Sequence, residues 1–247
     1  MSKKISVCMA TYNGANFIQE QLQSILLCLG ENDEVILSDD HSTDDTIEIV
    51  KAFNDPRVKI VFNNPDNKGH IGNFGNAMSK ALGDYIFLSD QDDVWHPERV
   101  VRVKEALALN DMVVCDCWVV DGHLKVINDS FYAMIHSGEG FIKNLVKNTY
   151  LGCCMAFDRK LMQKALPFPK TIVSHDTWLG LIGELYGNPV FIPHKLHYFR
   201  RHGTNFSQNE AGDAMSEQKS PYSFTQKLKM RAVLIREIFK RALRHDA

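Results

Sequence analysis

The chain reads as an α/β protein: a mainly parallel sheet with helices on both faces. Three observations predict this. Short, apolar, β-rich runs alternate with amphipathic stretches of helical period through the first half, and each later run ends in a polar cluster. The 247 residues are 45% hydrophobic and 23% charged, ordinary for one large globular domain or two small ones. No apolar run approaches the roughly 18–20 residues that cross a bilayer.

The first strand is ISVCMA (5–10), broken by the turn residues TYNG. From Phe17, the residues Ile18, Leu22, Ile25, Leu26 and Leu29 keep helical spacing and stop at Gly30, a favourable residue just past a helix. EVILS (34–38) is the second strand. In DDHSTDDT, Ser42 and Asp45 resemble a capping box with Asp in place of Glu, and Ile47, Val50 and Phe53 continue a helix face. VKIVF (58–62) is the third strand and leads into the polar loop NNPDNKGHIGN. Phe74, Ala77, Met78, Ala81 and Leu82 mark a helix expected to end at Gly83, before the fourth strand, DYIFLS (84–89). Strand–helix alternation of this kind makes βαβ units, whose strands run parallel.

The second half is less regular, a mixed α+β continuation. MVVCDCWVV (112–120) reads as a buried strand and DGHLKVI as a hairpin turn. A helix around 139–147, a strand near 153–157, a helix after SHD, and strands near 190–193 and 196–200 complete it. No Pro/Ser linker or internal repeat divides the chain. The tail differs: from Phe224, Lys227, Lys229, Arg231, Arg236, Lys240, Arg241 and Arg244 face only Glu237 and Asp246. Leu228, Val233, Leu234, Ile235, Ile238, Phe239 and Leu243 give it apolar surface. Such a helix can lie on an anionic membrane, dock on its own domain, or form a dimer contact.

Net charge is −2, so no basic field argues for nucleic acid. The start, MSKKISVCMATYNG, enters a strand directly, unlike a secretory signal, and points to the cytoplasm. Cys8, Cys28, Cys115, Cys117, Cys153 and Cys154 lack zinc-ribbon spacing and are expected to be reduced packing residues.

In an open parallel sheet, ligands bind outside the carboxyl ends of the strands. Three polar clusters fall there: ATYNG (10–14), SDDHSTD (38–44) and SDQDD (89–93). Asp90-x-Asp92 sets two carboxylates on one side of an extended segment, able to share a divalent ion, with Asp93 as an extra ligand or an acceptor behind it. All-oxygen coordination favours Mg²⁺ or Mn²⁺; an Asp-rich turn capping the helix near Pro97 is the plain alternative. Asp39 and Asp40 can accept hydrogen bonds from a base imide or ribose, or cap a helix. Tyr12 offers an aromatic face to a base, or packs in its turn.

TYNG, SDDHSTDDT and NKGHIGNFGNAMSKALGDYIFLSDQDDVW, in this order, resemble the family-2 glycosyltransferases of GT-A fold, a Rossmann-like architecture. More narrowly, they are similar to the rhamnosyltransferase-like bacterial enzymes that make O-antigen, capsule and other surface polysaccharides. The resemblance runs over roughly residues 4–207. It implies a catalytic domain over 1–215, nucleotide-binding to about residue 110 and acceptor-side from 111, with 216–247 as the tail.

The resemblance further implies roles. Thr11 and Tyr12, with Asn13 beside them, frame the nucleobase, which Asp39 hydrogen-bonds. Asp90 faces the ribose and Asp92 is the main metal ligand. The stretch Gly69 to Asn73 lies near the nucleotide, with Asn73 standing where many relatives carry arginine. Asp176 is the general base of an inverting displacement, preceded by His175 where the family has glutamate; the imidazole would hydrogen-bond the acceptor or orient the aspartate. Gly152 and Trp178 border the sugar and acceptor. In HYFRRHGTNFS, which fits an H-x-x-R-x-H pattern through His197, Arg200 suits a diphosphate and His202 completes the metal shell; a basic surface loop is the alternative.

The expected reaction moves a sugar, with a lean toward rhamnose, from a UDP- or dTDP-sugar to a glycan hydroxyl. A lipid-linked acceptor would suit a basic tail at the inner membrane face. A sugar-nucleotide pyrophosphorylase and a non-catalytic nucleotide- or glycan-binding scaffold are the competing readings.

Overall fold

Continuous apolar runs, rather than alternating ones, belong to strands covered on both faces. The computed structural model, which describes residues 3–202 and 223–245, has such strands at its centre. β1 (Ile5–Thr11), α1 (Ile18–Cys28), β2 (Glu34–Asp39), α2 (Thr46–Ala52), β3 (Val58–Phe62), α3 (His70–Lys80) and β4 (Tyr85–Ser89) follow in turn. Ile5, Val7, Cys8 and Met9 of β1, Val35 and Leu37 of β2, and Ile86, Phe87 and Leu88 of β4 are sealed from solvent. These strands lie parallel, with β1 between β2 and β4 and β3 outside β2.

The chain continues through β5 (Val94–Trp95), α4 (Arg99–Leu107), β6 (Met112–Val120), β7 (Val126–Asn128), α5 (Phe131–Ile135) and α6 (Phe141–Val146). It closes with β8 (Met155–Asp158), α7 (Arg159–Ala165), α8 (His175–Tyr186), β9 (Pro189–Arg200) and α9 (Phe224–His245). The sheet order is β3-β2-β1-β4-β8-β6-β9-β5, with β7 a hairpin on β6. β8 runs antiparallel to both β4 and β6, so the parallel half and the mixed half share one sheet. All six cysteines are free, five of them buried.

Several boundaries differ from the sequence expectation. α2 starts at Thr46, not at Ser42, because Ser42 is drawn to Asp39 while Asp44 Oδ1 accepts from the Thr46 amide at 3.1 Å. α3 stops at Lys80: the Leu82 and Gly83 amides donate instead to Glu34 (2.7 Å) and Ser6 Oγ (2.7 Å). The two strands expected near 190–200 are one, β9, whose pairing with β6 is irregular around Asp116. α5 and α7 were unmarked by periodicity; Ser130 and Asp158 cap them locally. α8 begins within SHD, capped by Ser174. Positions 203–222, which hold the expected 215/216 boundary and the end of HYFRRHGTNFS, lie outside the described residues.

The tail helix docks on the domain. Leu234, Ile238 and Arg241 are buried, and the Arg241 guanidinium donates to the carbonyls of Leu166 and Pro167, each at 2.5 Å. Arg231 reaches the Leu145 carbonyl at 3.1 Å and that of Val146. Among the described residues, no helix is long and apolar enough to cross a membrane.

If this docking holds in solution, Ile238→Ala should lower unfolding stability by about 2 kcal/mol, the cost of an emptied apolar site. Urea denaturation would check it; an unchanged midpoint would mean a helix free of the domain.

Candidate active site

Parallel pairing puts Thr11, Asp39 and Ser89 at one edge of the sheet: Thr11 is in register with Asp39, and Met9 with Ser89. The expected convergence of the three polar clusters is therefore present. What most of these residues do there is brace one another. Asp39 is fully buried; it accepts from Thr11 Oγ1 (2.9 Å) and from the amide and hydroxyl of Ser42 (2.7 and 2.6 Å). Asn13 donates its amide to Ser42 Oγ (2.9 Å) and accepts from the Thr43 amide (2.8 Å). Asp40 holds Asn63 Nδ2 (2.8 Å) and the Gly69 amide (2.7 Å), tying the second loop to the third. Asn73 Nδ2 donates to the Thr11 carbonyl at 3.0 Å, while its buried Oδ1 has no partner. Thr11, Asp39 and Asp40 thus already spend oxygens on the loops. Tyr12 keeps an open face, 55% exposed, with its backbone clasped by the Gln91 side chain (2.8 and 3.0 Å).

The three neighbouring aspartates divide by environment. Asp93 is wholly buried, and its Oδ1 accepts the Arg200 amide at 2.8 Å. Its Oδ2 lies 2.8 Å from His197 Nε2, whose Nδ1 is 2.5 Å from Arg99 Nη1. An arginine can only donate, so Nδ1 accepts and Nε2–H donates to Asp93. Arg99 also donates to the Cys153 carbonyl at 2.5 Å and sits 4.3 Å over the Trp95 ring. Asp93 is therefore a bracing residue rather than a ligand.

Asp92 Oδ2 is 2.9 Å from His202 Nε2, and that imidazole stacks on Phe17 at 4.3 Å. Burial, then the charges of Asp93, Asp92 and Asp176, push the Asp90 carboxyl well above the usual range. An Asp93 oxygen, although already bound to β9, lies within 4.8 Å of one of Asp90, so the two carboxyls crowd each other. Crowded carboxylates with raised proton affinity fit a divalent cation, whose charge would relieve the repulsion.

Across the crevice, Ser174 caps α8 and places His175 and Asp176 in its first turn. Asp176 Oδ1 accepts the Thr177 amide at 2.6 Å and the Ser174 hydroxyl. His175 stacks on Phe74 at 4.3 Å and meets His70 edge-on at 5.6 Å. Burial, opposed by Asp176 and aided by His70, lowers the imidazole to about 4, so it is neutral near pH 7. Its two ring nitrogens are buried and, among the described residues, have no partner. Gly152 makes room for it: a Cβ there would lie 2.8 Å from His175 Nε2 and 3.6 Å from Asp176 Cβ.

Two expected site residues are corrected. Trp178 is buried in the core, its Nε1 donating to the Ala165 carbonyl at 2.9 Å and its ring lying under Arg241. It lies about 200° round α8 from Asp176. Arg200 is also buried, bound to Glu20 (2.5 Å) and the Gly122 carbonyl (3.1 Å), so it stiffens the loop that carries His202. Sequence reading missed Arg99, Gln91, His70 and Gln21, whose Nε2 donates to Ser89 Oγ (2.7 Å) and the Asp90 carbonyl (3.0 Å). Arg99 and Gln21 leave one legible trace: each sits on a helix face otherwise filled by apolar residues.

The family model described as glycosyl transferase family 2 matches residues 6–166. An uncharacterized glycosyltransferase, alr2836, of Nostoc sp. is 25% identical over 236 residues, covering 88% of this chain and 70% of that protein. The Escherichia coli UDP-Glc:alpha-D-GlcNAc-diphosphoundecaprenol beta-1,3-glucosyltransferase WfgD is 28% identical over 186 residues, covering 73% of this chain and 70% of its own. Among solved structures, Staphylococcus aureus TarS 1-349 with UDP-GlcNAc superposes with a TM-score of 0.70 at 21% identity, over 94% of this chain and 66% of that one. Glucosyl-3-phosphoglycerate synthase from Mycobacterium tuberculosis, crystallised with Mn²⁺ and UDP, gives 0.57 at 18% identity, over 97% and 80%. The shared architecture is the GT-A fold.

Removing one member of a buried charged chain strands the others. Asp93→Ala should therefore cost about 3–5 kcal/mol, measurable by urea unfolding, whereas Asp92→Ala, at the crevice, should cost under about 1 kcal/mol. Equal losses would contradict the division between the two aspartates.

Proposed function

This chain belongs to glycosyl transferase family 2, and from that premise we propose a metal-dependent inverting transfer. The donor is a UDP- or dTDP-sugar, and the acceptor is a hydroxyl of a growing bacterial surface glycan. One observation carries the reading: in the loop after β4, Asp92 Oδ2 lies 2.9 Å from His202 Nε2 with Asp90 two residues before it, a donor set that suits a divalent cation. Membership in a transferase family displaces the pyrophosphorylase and scaffold alternatives.

Asp92 and His202, with Asp90 beside them, would hold Mn²⁺ or Mg²⁺. When bound, the ion supplies charge neutralisation to the departing diphosphate. The crystallisation of a fold relative with Mn²⁺ and UDP supports this choice. The braced loops of Thr11, Asn13, Asp39, Asp40 and Asn73 shape the nucleotide side, with Tyr12 offering its ring to the base. Asp176 takes the proton of the acceptor hydroxyl while that oxygen bonds to the anomeric carbon. The bond from that carbon to the diphosphate breaks on the opposite face, and a single displacement inverts the centre. Neutral His175, buried against Phe74 and backed by Gly152, orients Asp176 beside it or hydrogen-bonds the acceptor.

WfgD, by its name, acts on a diphosphoundecaprenol-linked acceptor, which supports a lipid-linked one here. SDQDDVW leans the donor toward rhamnose by resemblance.

Two measurements test the reading. UDP or dTDP at about a hundred times Kd should raise the melting temperature by about 5–10 °C, and only when Mn²⁺ is present. Asp176→Asn should keep that shift yet lose transfer by roughly 10²–10⁴-fold. Indifference to every nucleotide with metal present would sink the donor assignment; undiminished transfer by the variant would place the base elsewhere.

A further inference from the structure

Docking and membrane binding look like alternatives for the tail, but the two use different faces of α9. The helix has 22 residues, about 33 Å at 1.5 Å per residue. At about 100° per residue, its side chains fall into three stripes. Leu234, Ile238 and Arg241 face the domain and are buried. Phe224, Leu228, Ile235, Phe239 and Leu243 form a second apolar stripe, exposed by 73, 49, 38, 65 and 74%. Lys229, Arg236 and Lys240, all exposed, border its outer side.

The stripe is not an unfinished piece of core, because the domain contact is already made by the other face. It also extends beyond α9. Arg231 binds the carbonyls at the end of α6 and brings that helix alongside; there Ile142 and Val146, one turn apart, are 69% and 58% exposed, next to Lys143 and Lys147. Large apolar side chains kept in water forgo the free energy of burial. With Arg231 and Arg241 turned to the domain, the remaining described cations of α9 are Lys227, Lys229, Arg236 and Lys240, and the one described acid is Glu237, which Arg236 and Lys240 hold at 2.9 and 3.0 Å.

We propose that this two-helix face docks on an anionic lipid bilayer, with the apolar stripe at the acyl boundary and the bordering cations among headgroup phosphates. Charge decides between occupants. A second copy of this face would set its lysines and arginines against their own kind, with no free acid on the face to answer them. A phosphate-rich surface answers them directly. Since no described helix can cross a membrane, α9 lies along the surface. α8 carries Asp176 and touches α9 through Trp178 under Arg241, so docking would hold the acceptor-side half near the bilayer. This inference stands on surface geometry and does not rest on the reaction proposed above.

Sedimentation of the full chain with vesicles tests it. The protein should pellet with mixed phosphatidylglycerol–phosphatidylcholine vesicles, far less with pure phosphatidylcholine, and be released by salt. Phe239→Gln with Leu243→Gln should weaken binding roughly tenfold or more. Lys229→Gln, Arg236→Gln and Lys240→Gln together should weaken it roughly a hundredfold. All five positions are exposed, so melting temperatures should stay at the parent value, separating lost docking from lost folding. Failure to bind the anionic vesicles would overturn the proposal, as would equal binding to neutral ones. A dimer seen by light scattering and abolished by Phe239→Gln with Leu243→Gln, without any vesicle binding, would assign the face to a second copy instead.

Discussion

The arrangement of the crevice depends on one buried chain of contacts, Asp93 to His197 to Arg99. A carboxylate and a guanidinium, each sealed from water, would be prohibitively costly alone. The imidazole between them accepts from one and donates to the other, so their charges are joined through a neutral ring. The same groups reach four elements: the loop before β5, strand β9, helix α4, and the turn at Cys153 beside Gly152. The loop after β4, strand β9, helix α4 and the turn at Cys153 are thereby tied together before any ligand arrives. The neighbouring Asp90 and Asp92 are, by contrast, only partly buried.

Burial then acts in opposite directions on two side chains of the crevice. On one side it raises the proton affinity of Asp90, because a carboxyl loses hydration and sits among like charges. On the other it lowers that of His175, because an imidazolium loses hydration too. The same cost of desolvation thus favours the uncharged form of both groups. Many other polar residues of the crevice act as braces. Asn13, Asp39, Asp40 and Asn73 spend their hydrogen bonds on adjoining loops, so the order they impose exists before binding rather than being imposed by the ligand.

The helix α8 links this crevice to the periphery. Its first turn presents His175 and Asp176, while Trp178, about 200° round the helix from Asp176, packs inward against Arg241 of α9. A helix repeats its face every 3.6 residues, so adjacent motif letters point to different places. That is why Trp178, close to Asp176 in sequence, is absent from the crevice, while Gly152, far away in sequence, lines it.

Much of the architecture was legible in local pattern. Apolar runs doubly buried in β1, β2 and β4, and the turn residues after them, carry the alternation and hence the parallel edge where acidic residues collect. The amphipathic period of the tail was equally plain. The irregular half was harder, since α5, α7 and the unbroken β9 are held by capping and strand pairing rather than by a repeating apolar period. Asp92 and Asp93 are the same residue type one position apart, and nothing local tells ligand from brace. The partners of Asp93 lie 104 and 107 positions away. Sequence alone determined that carboxylates stand at the strand ends; tertiary structure decided which is buried and which is presented, because burial and charge compensation are properties of non-local neighbours.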